Sequence, residues 1–249
     1  MGYDPDELSE EELQALTKSA EVMGNSHLLE MLAAFHCSDE SHDTNVNDNL
    51  HALIHCHGIR GRFNLPDLLH ETFSKIIPQP LELGRYLARH LRKEADFKGK
   101  IDNNMLRDML VVSKKDFNSS KDETKAPFSF ATEDTNAYIF SLMKENIESR
   151  RFQLTRFIAD YCASKISKQD TKWLILSDSS TFRQKVQRAF AAEFLMPVSL
   201  ISEYTGGRYT QANIKKVAEE FEVSPVLAAS QLASHELISP ADVELYALS

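Results

Sequence analysis

RRFQLTRFIADYC, residues 150–162, puts Leu154, Phe157, Ile158 and Tyr161 at i, i+3, i+4, i+7, the spacing of one apolar helix face. Arg156 and Asp160, also one turn apart, lie on the other side with Ala159 and Ala163. Such a pair suits a local salt bridge, worth about 0.2–0.5 kcal/mol if exposed. Before this helix stand LVVSKKDF (110–117), APFSFATED (126–134) and AYIFSLM (137–143), short β-rich runs bounded by polar residues. After it, SKQDTKWLILSDSS (167–180) interrupts, and TFRQKVQRAFAAEFL (181–195) is a strong helix ended by Pro197.

Further upstream, LELGRYLARHLRKEADF (81–97) is an amphipathic helix, followed by a short one at NNMLRDML (103–110). The first 80 residues read as helices and loops. Ser9 and Glu12 have capping-box spacing, Gly24 stops that helix, and Ser26 caps HLLEMLAAF. CSDESHDTNVND (37–48) and NSSKDETK (118–125) are loops, while LHALIH and PDLLHETFSKII are short helices. Pro78 and Pro80 mark a boundary, giving a helical N-terminal segment over 1–80 and a second unit over 81–249. The tail is two helices hinged at Val223-Ser224-Pro225. Helices, a small sheet, then helices again argue an α+β fold.

Composition narrows function. The 249 residues are 42% hydrophobic and 26% charged, as in a soluble globular protein, and apolar runs are too short for a membrane span. The acidic start MGYDPDELSEEE is unlike a signal peptide. Three scattered cysteines suggest no disulfide framework, so a reducing cytoplasm is expected. A net charge of −9 opposes non-specific binding to nucleic-acid phosphates. The tail stretch VAEEFEVSPVLAASQLASHEL has the length of a helix-turn-helix, but Pro225 to Leu237 holds no Lys or Arg, so packing is expected of it.

The run RAFAAEFLMP (188–197) resembles the ImmA/IrrE family of zinc metallopeptidases, whose members end a helix with an FAAELLMP-type phrase. Downstream, IKKVAEEFEVSPVLAASQLASHELIS is similar to the family's closing helices. Upstream, LGRYLARHLRKEADF, LRDMLVV, FSF and AYIFSLM are similar to its leading helices and small sheet. The resemblance spans roughly 83–240 and implies a metallopeptidase-like scaffold. In that family an FTLAHELGH-like helix carries HExxH, and a Glu on the next helix completes the zinc site. Two imidazoles and a third ligand hold the metal, leaving one position for water, and the Glu inside the motif takes that water's proton.

By this resemblance Arg156 and Asp160 fall on the two histidine positions, Phe157 on the general base and Gln184 on the third ligand. All four have changed. A guanidinium has no lone pair for zinc, and a phenyl ring accepts no proton. The implied protein is a pseudopeptidase without zinc or other cofactor. It would bind a helix-turn-helix repressor, a toxin or a defence partner, in stress response or mobile-element control, at a groove lined by Arg156, Asp160, Gln184 and Arg188. A metallopeptidase with nonstandard ligands and a DNA-binding regulator remain open alternatives.

Other features are weaker. His51 and His55 are at i, i+4 with Cys56 and His57 adjacent, and His36, Cys37 and His42 lie upstream. Their irregular spacing matches no zinc module, so ordinary surface and core histidines are expected. His70-Glu71 begins HETFS, which lacks the second histidine of a zinc motif. Arg85, Arg89, Arg92 and Lys93 share one side of a helix, where an acidic partner would dock. Cys162 reads as a small buried thiol, and no Gly-rich phosphate loop is present.

Overall fold

A computed structural model describes residues 10–36, 58–66, 79–118, 128–143 and 146–247. The elements are α1 (Glu10–Met23), α2 (Asn25–His36), β1 (Ile59–Gly61), α3 (Pro80–Glu94), α4 (Asn103–Leu110), α5 (Lys114–Phe117), β2 (Ser129–Asp134), β3 (Ala137–Ser141) and α6 (Ile147–Ile166). They continue as β4 (Trp173–Leu176), α7 (Phe182–Leu195), α8 (Val198–Thr205), α9 (Gln211–Phe221), α10 (Pro225–Ser234) and α11 (Pro240–Ala247). The fold is α+β, mostly helical around a four-stranded antiparallel sheet of order β1-β3-β2-β4. Among the described residues no helix is long and apolar enough to cross a membrane.

Thr135 and Asn136 join β2 to β3, both with positive φ, as a two-residue hairpin turn requires. Alternation along β2 and β4 then divides their side chains between two faces. Ala131, Leu174 and Leu176 join Leu154, Phe157 and Ile158 of α6 in the main core. Phe130, Trp173 and Ile175 join Met23, Leu28, Met31 and Ala34 of α1 and α2 in a second cluster. The sheet therefore crosses the boundary expected at residue 80: β1 is its edge strand, paired with β3 from Ile59↔Phe140 to Gly61↔Tyr138.

Helix α6 is the centre of the molecule. Buried residues occupy every side of it, Arg150, Arg151, Gln153, Arg156 and Asp160 among them. It is not the one-faced helix the apolar spacing describes. Arg151, fully buried, donates to Ile101 O at 2.7 Å and Glu222 Oε2 at 2.8 Å and also reaches Asn103. It thereby ties α6 to the start of α4 and the end of α9. Helix α3 crosses α7 closely enough that a Cβ on Gly84 would run into the Val186 carbonyl and the Phe190 amide.

Two local expectations differ. LVVSKKDF is not a strand: Val111 turns into the left-handed region at φ 45 after α4, and Ser113 caps α5 through Asp116 N. WLIL, expected only as an interruption, is β4, an apolar run covered on both faces.

Candidate functional site

The site grows from two capped helices and the strand between them. Asn146 Oδ1 accepts from Ser149 N and starts α6, which carries Gln153, Arg156 and Asp160. Thr181 Oγ1 accepts from Gln184 N and starts α7, which presents Arg183, Gln184, Gln187 and Arg188 to α6. Strand β4 leads into Ser177-Asp178-Ser179 beside both.

Arg156 and Asp160 do not pair with each other, contrary to the expectation from their spacing. Both are buried, at 5% and 1% exposure; Asp160 takes its partner from α7, and Arg156 takes its partners from α7 and the turn after β4. Asp160 receives Arg183 in a two-pronged pair, Nε to Oδ1 at 2.6 Å and Nη2 to Oδ2 at 2.8 Å. Arg156 Nη2 donates to Gln184 Oε1 at 2.6 Å, to the Ser177 carbonyl at 2.7 Å and, at 3.4 Å, to Gln187 Oε1. Gln184 is fully engaged. Its Oε1 also accepts from Ser177 N at 3.0 Å, and its Nε2 donates to Ile175 O at 2.9 Å and Glu30 Oε2 at 3.0 Å.

Helix α2 closes this side. Glu30 accepts from Thr181 Oγ1 at 2.9 Å as well as from Gln184. His27, buried, donates from Nδ1 to Met23 O at 3.0 Å, which leaves Nε2 to accept from Arg183 at 3.3 Å. Burial and then the Arg183 charge hold His27 below its ordinary value of 6.5. Arg183 itself is lowered by burial and raised more by Asp160, a net rise.

A zinc ion does not fit the four positions that the resemblance names. Arg156 brings a positive charge, Asp160 is held by Arg183, and Gln184 has both donors and its acceptor in use. Phe157 is fully buried against Phe140, with ring centroids 5.5 Å apart, and faces the core rather than the site.

The other side of Arg156 is open. A cavity of about 430 Å³ lies between α6, α7, α10 and the end of β4, with Arg156, Arg188, Gln153 and Phe152 on its wall. Arg188, half-buried, donates to Ser177 O at 3.3 Å and Ser179 O at 2.9 Å, so two guanidinium groups share the Ser177 carbonyl. Neither has a carboxylate within salt-bridge distance among the described residues. Burial and then the charge of Arg188 push Arg156 down to about 10, against a smaller opposite pull from Asp178 and Asp160. Arg156 Nε and Gln153 Oε1 are buried without hydrogen-bond partners.

Of the expected groove, then, Arg156 and Arg188 line the cavity, whereas Asp160 and Gln184 stand behind it. Sequence reasoning missed Gln153, Arg183, His27 and Glu30. Gln153 and Arg183 had a signal, being one helical turn from Arg156 and next to Gln184. The helix at HLLEMLAAF was expected, but nothing in the spacing placed it at this site.

The basic side of α3 is split: Arg85 and Arg92 are buried, while Arg89 and Lys93 are exposed. Arg85 donates to Glu82 at 2.5 Å and to Ser234 O at 2.7 Å. Arg89 holds the buried Glu193 at 2.7 Å, and Arg92 donates to Phe194 O at 2.6 Å and Gly99 O at 2.5 Å. Lys93 is exposed, but the four cations do not form one open patch. Cys162 is buried, and burial pushes its thiol up to about 12. His51, His55, Cys56 and His57 lie outside the described residues, as do Cys37, His42 and the HETFS stretch. No group of three or more metal-ligating His, Cys, Asp or Glu occurs among the described residues. Compared with protein-family models, with curated proteins and with solved structures, the chain finds no match.

Proposed function

We propose that this chain is an ImmA/IrrE-like pseudopeptidase on a metallopeptidase-like scaffold, a cytoplasmic regulatory module that binds a protein partner without cutting it. The partner would be a helix-turn-helix repressor, a toxin or a defence protein, held at the cleft beside Arg156 and Arg188. One observation carries this reading. Arg156 bonds Gln184 at 2.6 Å across 28 positions of sequence, so two of the three ligand positions named by the resemblance meet in space, while neither supplies a ligand. The third, Asp160, joins the same junction through Arg183. What remains is a filled metal site beside an open cavity, which suits recognition rather than hydrolysis.

The test is to isolate the tagged chain from its native host, identify what accompanies it, and repeat binding with Arg188→Gln. A stoichiometric protein partner that stays intact and is lost with the variant is the expected result. Chelator-sensitive cleavage of that partner, or binding indifferent to Arg188, would overturn the reading.

A further inference from the structure

The cavity's wall has two unlike parts. On one side stand the polar groups of α6 and α7: Arg156, Gln153 and Arg188. Gln153 and Arg156, one helical turn apart, are 6% and 5% exposed, and each leaves a buried atom without a partner, Oε1 of the first and Nε of the second. Exchanging the Gln153 amide ends would leave the nitrogen there instead, so the site has a spare polar group whichever way the amide points. The apolar part is made by Phe152, Leu176, Val226 and Leu227, with Ser224, Ser230, Gln231 and Ser234 also on the lining.

A buried and a half-buried guanidinium sharing one backbone carbonyl are poorly compensated, because a neutral dipole replaces neither counter-ion. The carboxylates nearby do not supply one. Asp160 is held by Arg183, and Glu30 lies behind Gln184. Asp178 and Glu148 are on the wall but exposed; Asp178 favours both charged guanidinium groups from beyond salt-bridge distance and bonds neither. Arg85, the third arginine on the wall, already has Glu82. Helix α10 begins at the same wall, where Ser224 caps it, so its positive end lies at the cleft.

We propose that this cleft binds a carboxylate carried on an apolar body. The planar carboxylate matches the guanidinium fork of Arg156 and Arg188, and Gln153 adds a further hydrogen bond by donating from its amide nitrogen, not from Oε1. The apolar body lies along Phe152, Leu176, Val226 and Leu227. A volume of about 430 Å³ accepts a medium-length aliphatic acid or the last residue of a peptide ending in an apolar amino acid. Both sources offer the same chemistry, a terminal carboxylate next to a hydrocarbon chain. This inference rests on reading the cleft as a binding site and names the group that the site would grip.

The experiment is calorimetric titration of the full chain with four probes: octanoate, octanol, a short peptide ending in leucine, and its C-terminal amide. Two variants accompany the wild type. Arg188→Gln removes one cation from a half-buried position, and Ser230→Phe plugs the apolar wall while leaving both arginines; thermal melts check that each is folded. Saturable binding of octanoate or of the free-carboxylate peptide is expected, weakened about tenfold or more by the neutral probe and by each variant. Binding of the peptide alone assigns the source to a chain terminus, and binding of octanoate assigns it to a free acid.

Absence of saturable binding by both carboxylates overturns the inference, as does equal binding of octanol or by Arg188→Gln. If a protein partner needs Arg188 while neither carboxylate binds, this inference falls and the partner reading stands. If octanoate binds but a partner ignores Arg188, the outcome is reversed.

Discussion

Arg183, partly buried, and Arg156, buried, both lie where α6 meets α7, and the fold treats them in opposite ways. Arg183 meets Asp160 through two charge-assisted hydrogen bonds, with His27 on its far side, and its pKa rises. Arg156 meets a carbonyl and two amide oxygens, shares the carbonyl with Arg188, and its pKa falls to about 10. The first is a closed structural pair under α2. The second leaves a cation on the wall of a cavity with no carboxylate in salt-bridge distance among the described residues. The difference separates residues that hold the fold from residues that have capacity left for a ligand, although both kinds sit one turn apart on α6.

The comparison breaks most directly at Arg183. Arg183→Met leaves Asp160 ionised in a site 1% exposed, and removing one member of a buried pair costs about 3–5 kcal/mol. Adding Asp160→Leu should recover most of that loss, because the stranded charge disappears with it. Urea denaturation of the two single variants and the double variant measures the coupling. A double variant as unstable as Arg183→Met alone would show that packing, not the ion pair, closes this side.

A second, smaller effect belongs to Gln184. Gln184→Leu removes the acceptor of Arg156 Nη2 and of Ser177 N, and strips a donor from Ile175 O and Glu30. A loss of about 2–3 kcal/mol is expected from groups left buried without partners. The same denaturation series checks it, with Gln187→Leu as the milder comparison, since Gln187 makes a 3.1 Å bond to Ile175 O and only a 3.4 Å one to Arg156.

Acid should open the closed side before the open one. His27 in the folded chain is held below 6.5, first by burial and then by Arg183, against weaker opposite pulls from Asp160 and Asp170. The unfolded chain therefore takes up this proton at a higher pH than the folded chain does. Stability from the neutral imidazole is complete above about pH 6.5 and is lost as pH falls from there through the folded value, by at most about 1.4 kcal/mol per pH unit. His235, also lowered by burial and by Arg85, acts in the same direction near Glu193. Urea midpoints taken from pH 8 to pH 5 in wild type and His27→Gln isolate the α2 share. An identical slope in the two proteins would remove His27 from the account.

How much of this was legible follows the range of the signals. Helices at 81–97, 103–110 and 181–195 were readable because each has its own period, cap or stop, and the structure has them as Pro80–Glu94, Asn103–Leu110 and Phe182–Leu195. The hairpin was readable from its apolar runs. Strand β1 was not, because three residues carry no periodicity, and β4 was not, because four apolar residues covered on both sides do not alternate. At the site, spacing put Arg156 and Asp160 together, since i, i+4 neighbours on a helix usually are. Both took partners from α7 instead, a choice made by packing between helices that no local pattern encodes. The seal by His27 and Glu30 depends on contacts across more than 150 residues and was invisible for the same reason.

The smallest expected effect belongs to Gln153. Gln153 is 6% exposed, as buried as many core residues, yet its Oε1 has no partner. If the residue served the fold, Gln153→Leu would remove useful packing or bonding and would lower stability measurably. If it serves a ligand, the substitution deletes an unsatisfied buried group in exchange for an apolar one of similar volume. Stability should then stay within about 0.5 kcal/mol of wild type or rise, because only the unpaired atom has been lost. Octanoate affinity should fall in the same variant. A stability change near zero at Gln153, beside a loss of several kcal/mol when Asp160 loses Arg183, would mean that α6 divides its buried polar residues between holding the protein together and waiting for something else to bind.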